Sequence, residues 1–143
     1  GYEAPVYLSW SSANRSALIR IPAARGNGTR IELRNPDPTA NPYLAIAVML
    51  KAGLDGIKNE IEPPEEVLEN IYEMSLERKK ELNIESLPAN INEAVNLLLK
   101  DEVITDVLGE HVLEHFAAAK KAEWDDYRTQ VSQWELDKYL TTF

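Results

Sequence analysis

The stretch TRIELRNPDPTANPYLAIAVMLKAGLDGIK, residues 29–58, indicates the fold class. Its hydrophobic period changes partway along, from that of a β-strand to that of a helix. In residues 29–34 charged and apolar side chains alternate, which is the period of a half-buried β-strand. Residues 35–42 carry three prolines and interrupt regular structure. Asn41 is a favoured N-cap and Pro42 a favoured first helical residue, so a helix is predicted from there to the end of the stretch.

Strand patterns precede this stretch and helical patterns follow it. Runs rich in β-branched and aromatic residues at 5–11 and 17–22 predict two further strands. The helix of 42–58 is apolar nearly all round, so we expect it to be buried on most sides. Further helices are predicted at 66–82, 90–100, 101–109, 110–131 and from 132 onward. The fold class is therefore α+β, with short antiparallel strands followed by a mainly helical C-terminal half.

Composition limits the kinds of protein this can be. The 143 residues suit one domain, with strands at about 5–35 and helices at about 41–143. A net charge of −9 argues against nucleic acid as a general partner. The absence of cysteine excludes disulfides and thiolate chemistry. No signal peptide or membrane-length apolar run is seen, so we expect a cytoplasmic protein. Because the chain starts at Gly1 and runs straight into strand-like sequence, we expect a piece of a longer protein.

A cluster of arginines marks the candidate site. Arg30, Glu32 and Arg34 share one face of the predicted third strand. Arg20 lies in the preceding predicted strand between apolar residues, and Arg15 lies five residues earlier. A solvated strand face would also explain alternating charges. Four arginines in an acidic chain favour an anion site instead, and a glutamate among them suits a divalent cation that bridges phosphates.

These same segments carry a resemblance to a known family. The motifs at 14–22, 30–34 and 35–59 resemble consecutive C-terminal motifs of type I (bacterial-type) glutamine synthetase, and residues 1–11 are similar too. The resemblance extends more weakly to Phe143. It implies that the whole chain is the C-terminal portion of the glutamine synthetase catalytic domain.

The resemblance also implies an activity and its requirements. The family is a glutamate–ammonia ligase of glutamine biosynthesis and nitrogen metabolism, in which ATP forms a γ-glutamyl phosphate that ammonia converts to glutamine. Its cofactor is Mg²⁺ or Mn²⁺, and its members assemble as cytoplasmic dodecamers. The chain alone is predicted to be inactive, because it offers one carboxylate for the metal ions.

Five residues match functional positions of the family. The resemblance implies that Arg15 is catalytic, contacting the transferring phosphate and the γ-carboxylate, and so binds both ATP and glutamate. It places Arg20 on the ATP phosphates and Arg30 near the nucleotide. Glu32 matches a metal ligand, and Arg34 matches the arginine that binds the glutamate carboxylate.

Other features are less specific. Tyr72 matches a tyrosine that some bacterial members adenylylate, but the residues after it are closer to those of Gram-positive bacteria, so it is only a candidate modification site. The linker ARGNG at 24–28 departs from the enterobacterial pattern, which puts a nucleotide contact there in doubt. His111 and His115 lie four apart on a predicted helix, but no third metal ligand is evident, which favours a helix surface.

Two alternatives stay open. A glutamate–amine ligase of the same family, acting on a polyamine or another amine, would share these residues, because nothing in the chain reports on the amine. The helical half is also compatible with a module for assembly or for docking a regulatory protein. The amine, the regulator, the mode of feedback control and the organism are not determined by the sequence.

Overall fold

The computed structural model describes residues 4–142. Within these residues a small sheet is followed by a mainly helical region, which confirms the α+β class. The elements are β1 (Trp10–Ser11), β2 (Ile19–Arg20), β3 (Glu32–Leu33), α1 (Pro42–Lys58), α2 (Leu76–Glu81), α3 (Ile91–Leu98), α4 (Glu102–Tyr127) and α5 (Gln133–Tyr139). The described chain forms two compact units, one up to Ala89 and one from Asn90.

In the sheet, β2 lies between β1 and β3. Its pairing with β3 is antiparallel as predicted, with Arg20 opposite Glu32. The pairing of β1 with β2 is parallel, with Trp10 opposite Ile19, and here the antiparallel prediction was wrong. Longer parallel strands need crossovers of about a dozen residues. Because β1 has only two residues, loop 12–18 has to bring the chain back along the strand axis by only about 3.3 Å, the rise of one strand residue.

All three strands are shorter than predicted. In the first part of the predicted strand 5–11, backbone groups of residues 6–8 bond to a distant loop, and only the end of the range pairs with β2. The N–H of Leu8 donates to the carbonyl of Glu85 at 2.8 Å, and that of Leu87 donates to Val6 at 2.7 Å. These bonds satisfy the backbone without lengthening the sheet.

Small residues of loop 12–18 and one later segment form the core of the first unit. Ser11 and Ile71 are completely buried. The other buried residues of this unit include Pro5, Ser16, Ala17, Leu18 and Val67. Loop 12–18 therefore packs against the chain around residues 67–71 through its second half, Ser16 to Leu18, which is buried.

Helix α1 begins as predicted but is not buried. The Asn41 side chain accepts hydrogen bonds from the N–H groups of Tyr43 and Leu44, at 3.0 and 3.3 Å. The expectation of burial was wrong: no residue of α1 is buried, and Ile46, Leu50, Leu54 and Ile57 are exposed. Within the described part of the first unit, no other strand or helix packs over α1.

The predicted helix at 66–82 is reduced to α2. Ser75 caps it by accepting a hydrogen bond from the N–H of Arg78 at 3.1 Å. Pro63 and Pro64 precede the segment, and the side chain of Asn14 donates to the carbonyls of Val67 and Glu69. Such bonds to the backbone compete with a helix, which explains the extended course of residues 64–70.

The second unit follows the sequence pattern closely. Asn90 and Asp101 cap α3 and α4 as predicted. Gly109, with φ 70° and ψ 161°, interrupts α4 at the predicted break, and the helix ends at Tyr127, earlier than expected.

Capping and packing define the rest of this unit. Ser132 and Glu135 form the predicted capping box of α5. Helices α3 and α4 pack together, and Val95 and Ala117 are buried. Among residues 4–142, no helix combines the length and apolarity needed to cross a bilayer.

Candidate functional site

Glu32 lies between two arginines. Oε2 accepts from Nη2 and Nε of Arg20 at 2.7 and 2.8 Å. Oε1 accepts from Nη2 and Nε of Arg30 at 2.7 and 2.9 Å. The antiparallel register places Arg20 directly opposite Glu32, and the alternation along the chain places Arg30 on the same face. Each carboxylate oxygen therefore holds one guanidinium group.

These contacts change the titration of Glu32. Partial desolvation raises its pKa, but the hydrogen bonds and positive charges of Arg30 and Arg20 together outweigh that effect. The pKa of Glu32 consequently lies below the ordinary value for a glutamate, and the side chain stays ionised at neutral pH. The site thus keeps a hard anionic oxygen donor among cations.

A cleft of about 590 Å³ opens beside this ion-pair cluster. Its lining residues are Ala13, Asn14, Arg15, Ser16, Arg20, Arg34, Asn70 and Tyr72. Three of the five predicted site residues, Arg15, Arg20 and Arg34, therefore meet at one cavity. Arg30 and Glu32 do not line the cavity. Glu32 is connected to it by its ion pair with Arg20, and Arg30 by its ion pair with Glu32. The cleft wall is strongly cationic, which suits a phosphate or carboxylate ligand.

Arg34 contacts the loop that carries Arg15. Its Nη1 donates to the carbonyl oxygen of Arg15 and lies 3.5 Å from that of Ala17. In this arrangement the Arg34 guanidinium both lines the cleft and holds loop 12–18. Arg15 itself is exposed, and it has no carboxylate partner within residues 4–142.

Sequence reasoning missed Asn14, Ser16 and Asn70 as cleft residues. Asn14 Nδ2 donates to the carbonyl oxygens of Val67 at 3.1 Å and Glu69 at 2.5 Å. Asn and Ser flanking an arginine are residue types that bind nearby backbone in turns, which was the available signal. The partners of Asn14 lie more than fifty residues away, and no local pattern identifies them.

Glu66 also holds the start of loop 12–18 by hydrogen bonds. Its Oε1 accepts hydrogen bonds from the Ser11 hydroxyl at 3.2 Å, the Ser12 N–H at 2.5 Å and the Ser12 hydroxyl. The hydrogen bonds from Ser12, aided by that from Ser11, lower the pKa of Glu66 below its usual range despite partial desolvation. The start of the Arg15 loop is thereby attached to the segment after Pro64.

Tyr72 forms another part of the cleft wall. Its ring meets the ring of Tyr7 edge-on, with 6.0 Å between centroids. The Tyr7 hydroxyl accepts from Nζ of Lys79 at 3.1 Å, and this ammonium lies 4.3 Å from the Tyr7 ring centroid. The ring of Tyr72 thus packs edge-on against Tyr7, which Lys79 of α2 contacts in turn.

The donor chemistry allows Glu32 to serve as one ligand of a divalent cation. Mg²⁺ in proteins is bound through one or two carboxylates together with substrate phosphates and water. Among the described residues no group of three or more His, Asp or Glu side chains could hold a metal by itself. His115 Nδ1 lies 2.8 Å from the carbonyl oxygen of His111, one turn earlier in α4. Glu32 fits such an ion only as part of a larger ligand set.

Comparison with known proteins defines the class of protein. The sequence profile described as glutamine synthetase, catalytic domain, matches residues 1–139. The chain therefore belongs to the glutamine synthetase catalytic domain family, and the resemblance seen in its motifs is confirmed.

The particular relatives are bacterial and archaeal glutamine synthetases. That of Clostridium saccharobutylicum is 57% identical over 143 residues, covering 100% of this chain and 32% of the relative. That of Thermotoga maritima is 61% identical over 140 residues, covering 98% and 32%. A glutamine synthetase of Staphylococcus aureus is 51% identical over 143 residues, covering 100% and 32%. The chain spans about a third of the length of these curated relatives.

Solved structures share the fold. A ligand-free structure of GmaS superposes with a TM-score of 0.79 and 38% identity, covering 96% of this chain and 31% of that one. A cryo-electron microscopy structure of Plasmodium falciparum glutamine synthetase gives a TM-score of 0.75 at 23% identity, covering 97% and 35%, which shows the fold alone.

Proposed function

We propose that residues 1–143 are the C-terminal portion of the catalytic domain of an ATP-dependent glutamate–ammonia ligase, which forms glutamine through γ-glutamyl phosphate. One observation carries the proposal: Glu32 is held between Arg20 and Arg30 at the edge of a cleft that Arg15, Arg20 and Arg34 line. Family membership supports the same reaction, since the curated relatives are glutamine synthetases.

The physical requirement of this reaction is to bring two anions together. Transfer of the γ-phosphoryl group of ATP to a carboxylate requires the charge of both groups to be offset. In our proposal Arg15 contacts the transferring phosphate and the γ-carboxylate, and Arg20 and Arg30 contact ATP. Arg34 binds the glutamate carboxylate. The bidentate geometry of guanidinium groups fits both kinds of oxygen.

Glu32 is the proposed metal ligand of this part of the chain. A bound Mg²⁺ or Mn²⁺ would offset phosphate charge during transfer. For Glu32 to donate an oxygen to the ion, at least one of its guanidinium contacts must be given up. We propose that ATP phosphates take over Arg20 or Arg30 at that point, which keeps each cation paired. The other ligands come from substrate and from parts of the enzyme outside this chain.

The setting of the reaction is part of the proposal. We infer a cytoplasmic enzyme that assembles as a homo-dodecamer and has a regulatory protein partner, with no nucleic acid or membrane partner. Tyr72, on the cleft wall, stays a candidate modification site. The chain alone is proposed to be inactive, because Glu32 is its one proposed metal ligand and its described residues contain no complete metal site.

The alternative in the same family is a glutamate–amine ligase that accepts a polyamine. The test uses the complete enzyme, meaning this chain together with the part of its relatives that it does not span. Phosphate release is measured with glutamate and ATP plus either ammonia or a polyamine. Turnover with ammonia alone supports the proposal, and turnover with the polyamine alone contradicts it in favour of the alternative.

The same assay tests the site. Arg15→Ala is expected to abolish glutamine formation, because it removes the charge proposed to contact both the transferring phosphate and the γ-carboxylate. The matched control is Arg128→Ala, which removes an exposed arginine of the second unit paired with Asp125. Equal activity of Arg15→Ala and Arg128→Ala would contradict the assignment of the cleft as the site of reaction.

A further inference from the structure

Loop 12–18, which carries Arg15, is held by hydrogen bonds of the Asn14 side chain. The proposed reaction assigns no role to this side chain. Its Nδ2 donates to the carbonyl oxygens of Val67 and Glu69 at 3.1 and 2.5 Å. Its Oδ1 accepts from the N–H and the hydroxyl of Ser16 at 2.9 and 2.7 Å. A carboxamide has two donor hydrogens and two acceptor sites. The side chain of Asn14 therefore has its full set of hydrogen bonds.

Ser16 extends this connection. Its hydroxyl donates to Asn14 and accepts from the N–H of Ile71 at 2.9 Å. Ser16 is 4% exposed and Ile71 is completely buried, so water does not compete for these bonds. The two neighbours of Arg15 thus bind three backbone groups within residues 67–71. That segment leads directly into Tyr72, which lines the same cleft as Arg15.

Arg15 depends on this support because its own side chain has little. It is exposed, and no carboxylate among the described residues pairs with it. The described residues therefore hold Arg15 through its backbone, which fixes the point from which its side chain extends. In a reaction that depends on placing charge at the transferring group, a displacement of about 1 Å costs on the order of 100-fold in rate.

We propose that Asn14 is a positioning residue, which fixes the backbone of Arg15 relative to the segment leading into Tyr72. This role rests on the proposed function, since it acts through Arg15. It differs from a purely structural role because its effect on rate requires Arg15 to be present. The two can be separated by a double-mutant cycle.

The experiment compares four forms of the complete enzyme: parent, Asn14→Asp, Arg15→Lys and the double variant. Asn14→Asp keeps the shape and the acceptor but removes the donors to Val67 and Glu69. Its kcat is expected to fall about 10- to 100-fold, with smaller changes in the KM for ATP and glutamate. Arg15→Lys retains charge but loses the planar fork. The double variant is expected to have the kcat of Arg15→Lys alone.

The matched control is Asn90→Asp. It makes the same chemical change at the N-cap of α3, where Asn and Asp are about equally favourable. Its kcat is expected to equal that of the parent, which excludes a general effect of exchanging an amide for a carboxylate.

The outcomes separate the two proposals. If Asn14→Asp and Arg15→Lys multiply in their effects on kcat, or if Asn14→Asp leaves kcat unchanged, the positioning role is overturned and the proposed function stands. If Arg15→Ala retains full activity, both are overturned. Should Asn14→Asp fail to fold, Ser16→Ala takes its place in the cycle. That variant keeps the Asn14 bonds to Val67 and Glu69 but removes the link to Ile71, and the same readouts decide.

Discussion

The cleft of the first unit and the helices of the second unit are held by different kinds of interaction. Around the cleft, the deciding side-chain bonds of Asn14 and Ser16 join residues 53 to 55 positions apart. In the second unit, ion pairs such as Lys120–Glu123 and Arg128–Asp125 join residues three apart.

This difference indicates in which region substitutions have the larger effect on activity or stability. Local pairs on a helix contribute a few tenths of a kcal/mol each, about 0.3–0.5, and the helix survives the loss of any one. The polar network around the cleft is partly buried, and each buried group left unpaired costs about 1–3 kcal/mol. Substitutions near the cleft should therefore affect activity strongly, whereas those in the helices should affect stability mildly.

The largest expected effect tests whether the cleft of the first unit and the helices of the second unit are sufficient for glutamine formation. The 143-residue chain alone is predicted to form no glutamine from glutamate, ATP, Mg²⁺ and ammonia, because the described residues contain no complete metal site. The measurement is glutamine formation by the purified chain. Detectable product that disappears in Arg15→Ala would contradict the prediction.

Glu32→Gln should produce the next largest effect. The change keeps the shape but removes the charge that pairs with Arg20 and Arg30 and that a hard cation requires. In the complete enzyme kcat is expected to fall about 10²- to 10³-fold, with a raised requirement for Mg²⁺. Metal titrations of kcat provide the measurement, with exposed Glu62→Gln as control. Unchanged metal dependence would restore the interpretation of Glu32 as a solvated surface charge.

Arg34→Ala distinguishes two roles of one side chain. If Arg34 binds the glutamate carboxylate, the loss of a charge-assisted bond worth about 1.5–3 kcal/mol raises the KM for glutamate about 10- to 100-fold. If it only holds the carbonyl of Arg15, kcat falls about 10- to 100-fold and that KM changes less. We expect the first result. Steady-state kinetics with glutamate varied at saturating ATP decide between them.

Gly109→Ala tests the second unit. The φ of 70° and ψ of 161° lie in a region that only glycine adopts easily, and there is open space around the position. We expect a loss of about 1–3 kcal/mol in the free energy of unfolding, from backbone strain alone. Urea unfolding of the chain measures it. Gly53→Ala, at an open helical position of α1, is the control and should stabilise by about 0.5–1 kcal/mol.

The smallest effect concerns pH. Because Ser12 and Ser11 hydrogen-bond to ionised Glu66 and lower its pKa, the unfolded chain takes up this proton first as pH falls. The stabilisation is complete above the ordinary glutamate pKa of about 4.3 and is lost as pH drops through the lowered value. Glu66→Gln should therefore be less stable than the parent at pH 7 and converge with it in acid. Urea midpoints measured from pH 7 to pH 3 should show that convergence, and parallel curves would contradict it.

The helices were predictable because their signals are local. Asn41 with Pro42, and Ser132 with Glu135, marked helix starts that the structure confirms. The course of 64–70 was not predictable, because it is set by Asn14 and by other partners distant in sequence. The exposure of α1 was also missed, because an apolar period indicates a face that favours burial but not what covers it.

The candidate site was predictable in its charged residues only. The alternation in RIELR placed Arg30 and Glu32 together, and the structure pairs them. Arg15 and Arg34 line one cavity, and Arg34 binds the carbonyl of Arg15, but the parallel pairing of β1 with β2 on either side of loop 12–18 was not anticipated. Side-chain type and the antiparallel pairing of β2 with β3 could thus be predicted from the sequence, whereas the direction of β1 could not.

Loop 12–18 has one further consequence, for protein engineering. Surface loops generally accept insertions, because closure entropy grows slowly with length. Here the ends are fixed by the pairing of Trp10 with Ile19, and the middle is bonded at Asn14 and Ser16. An added or deleted residue would therefore either turn Arg15 away from the cleft or break a strand pair. Libraries that alter this protein should therefore vary the side chains of the loop and keep its length constant.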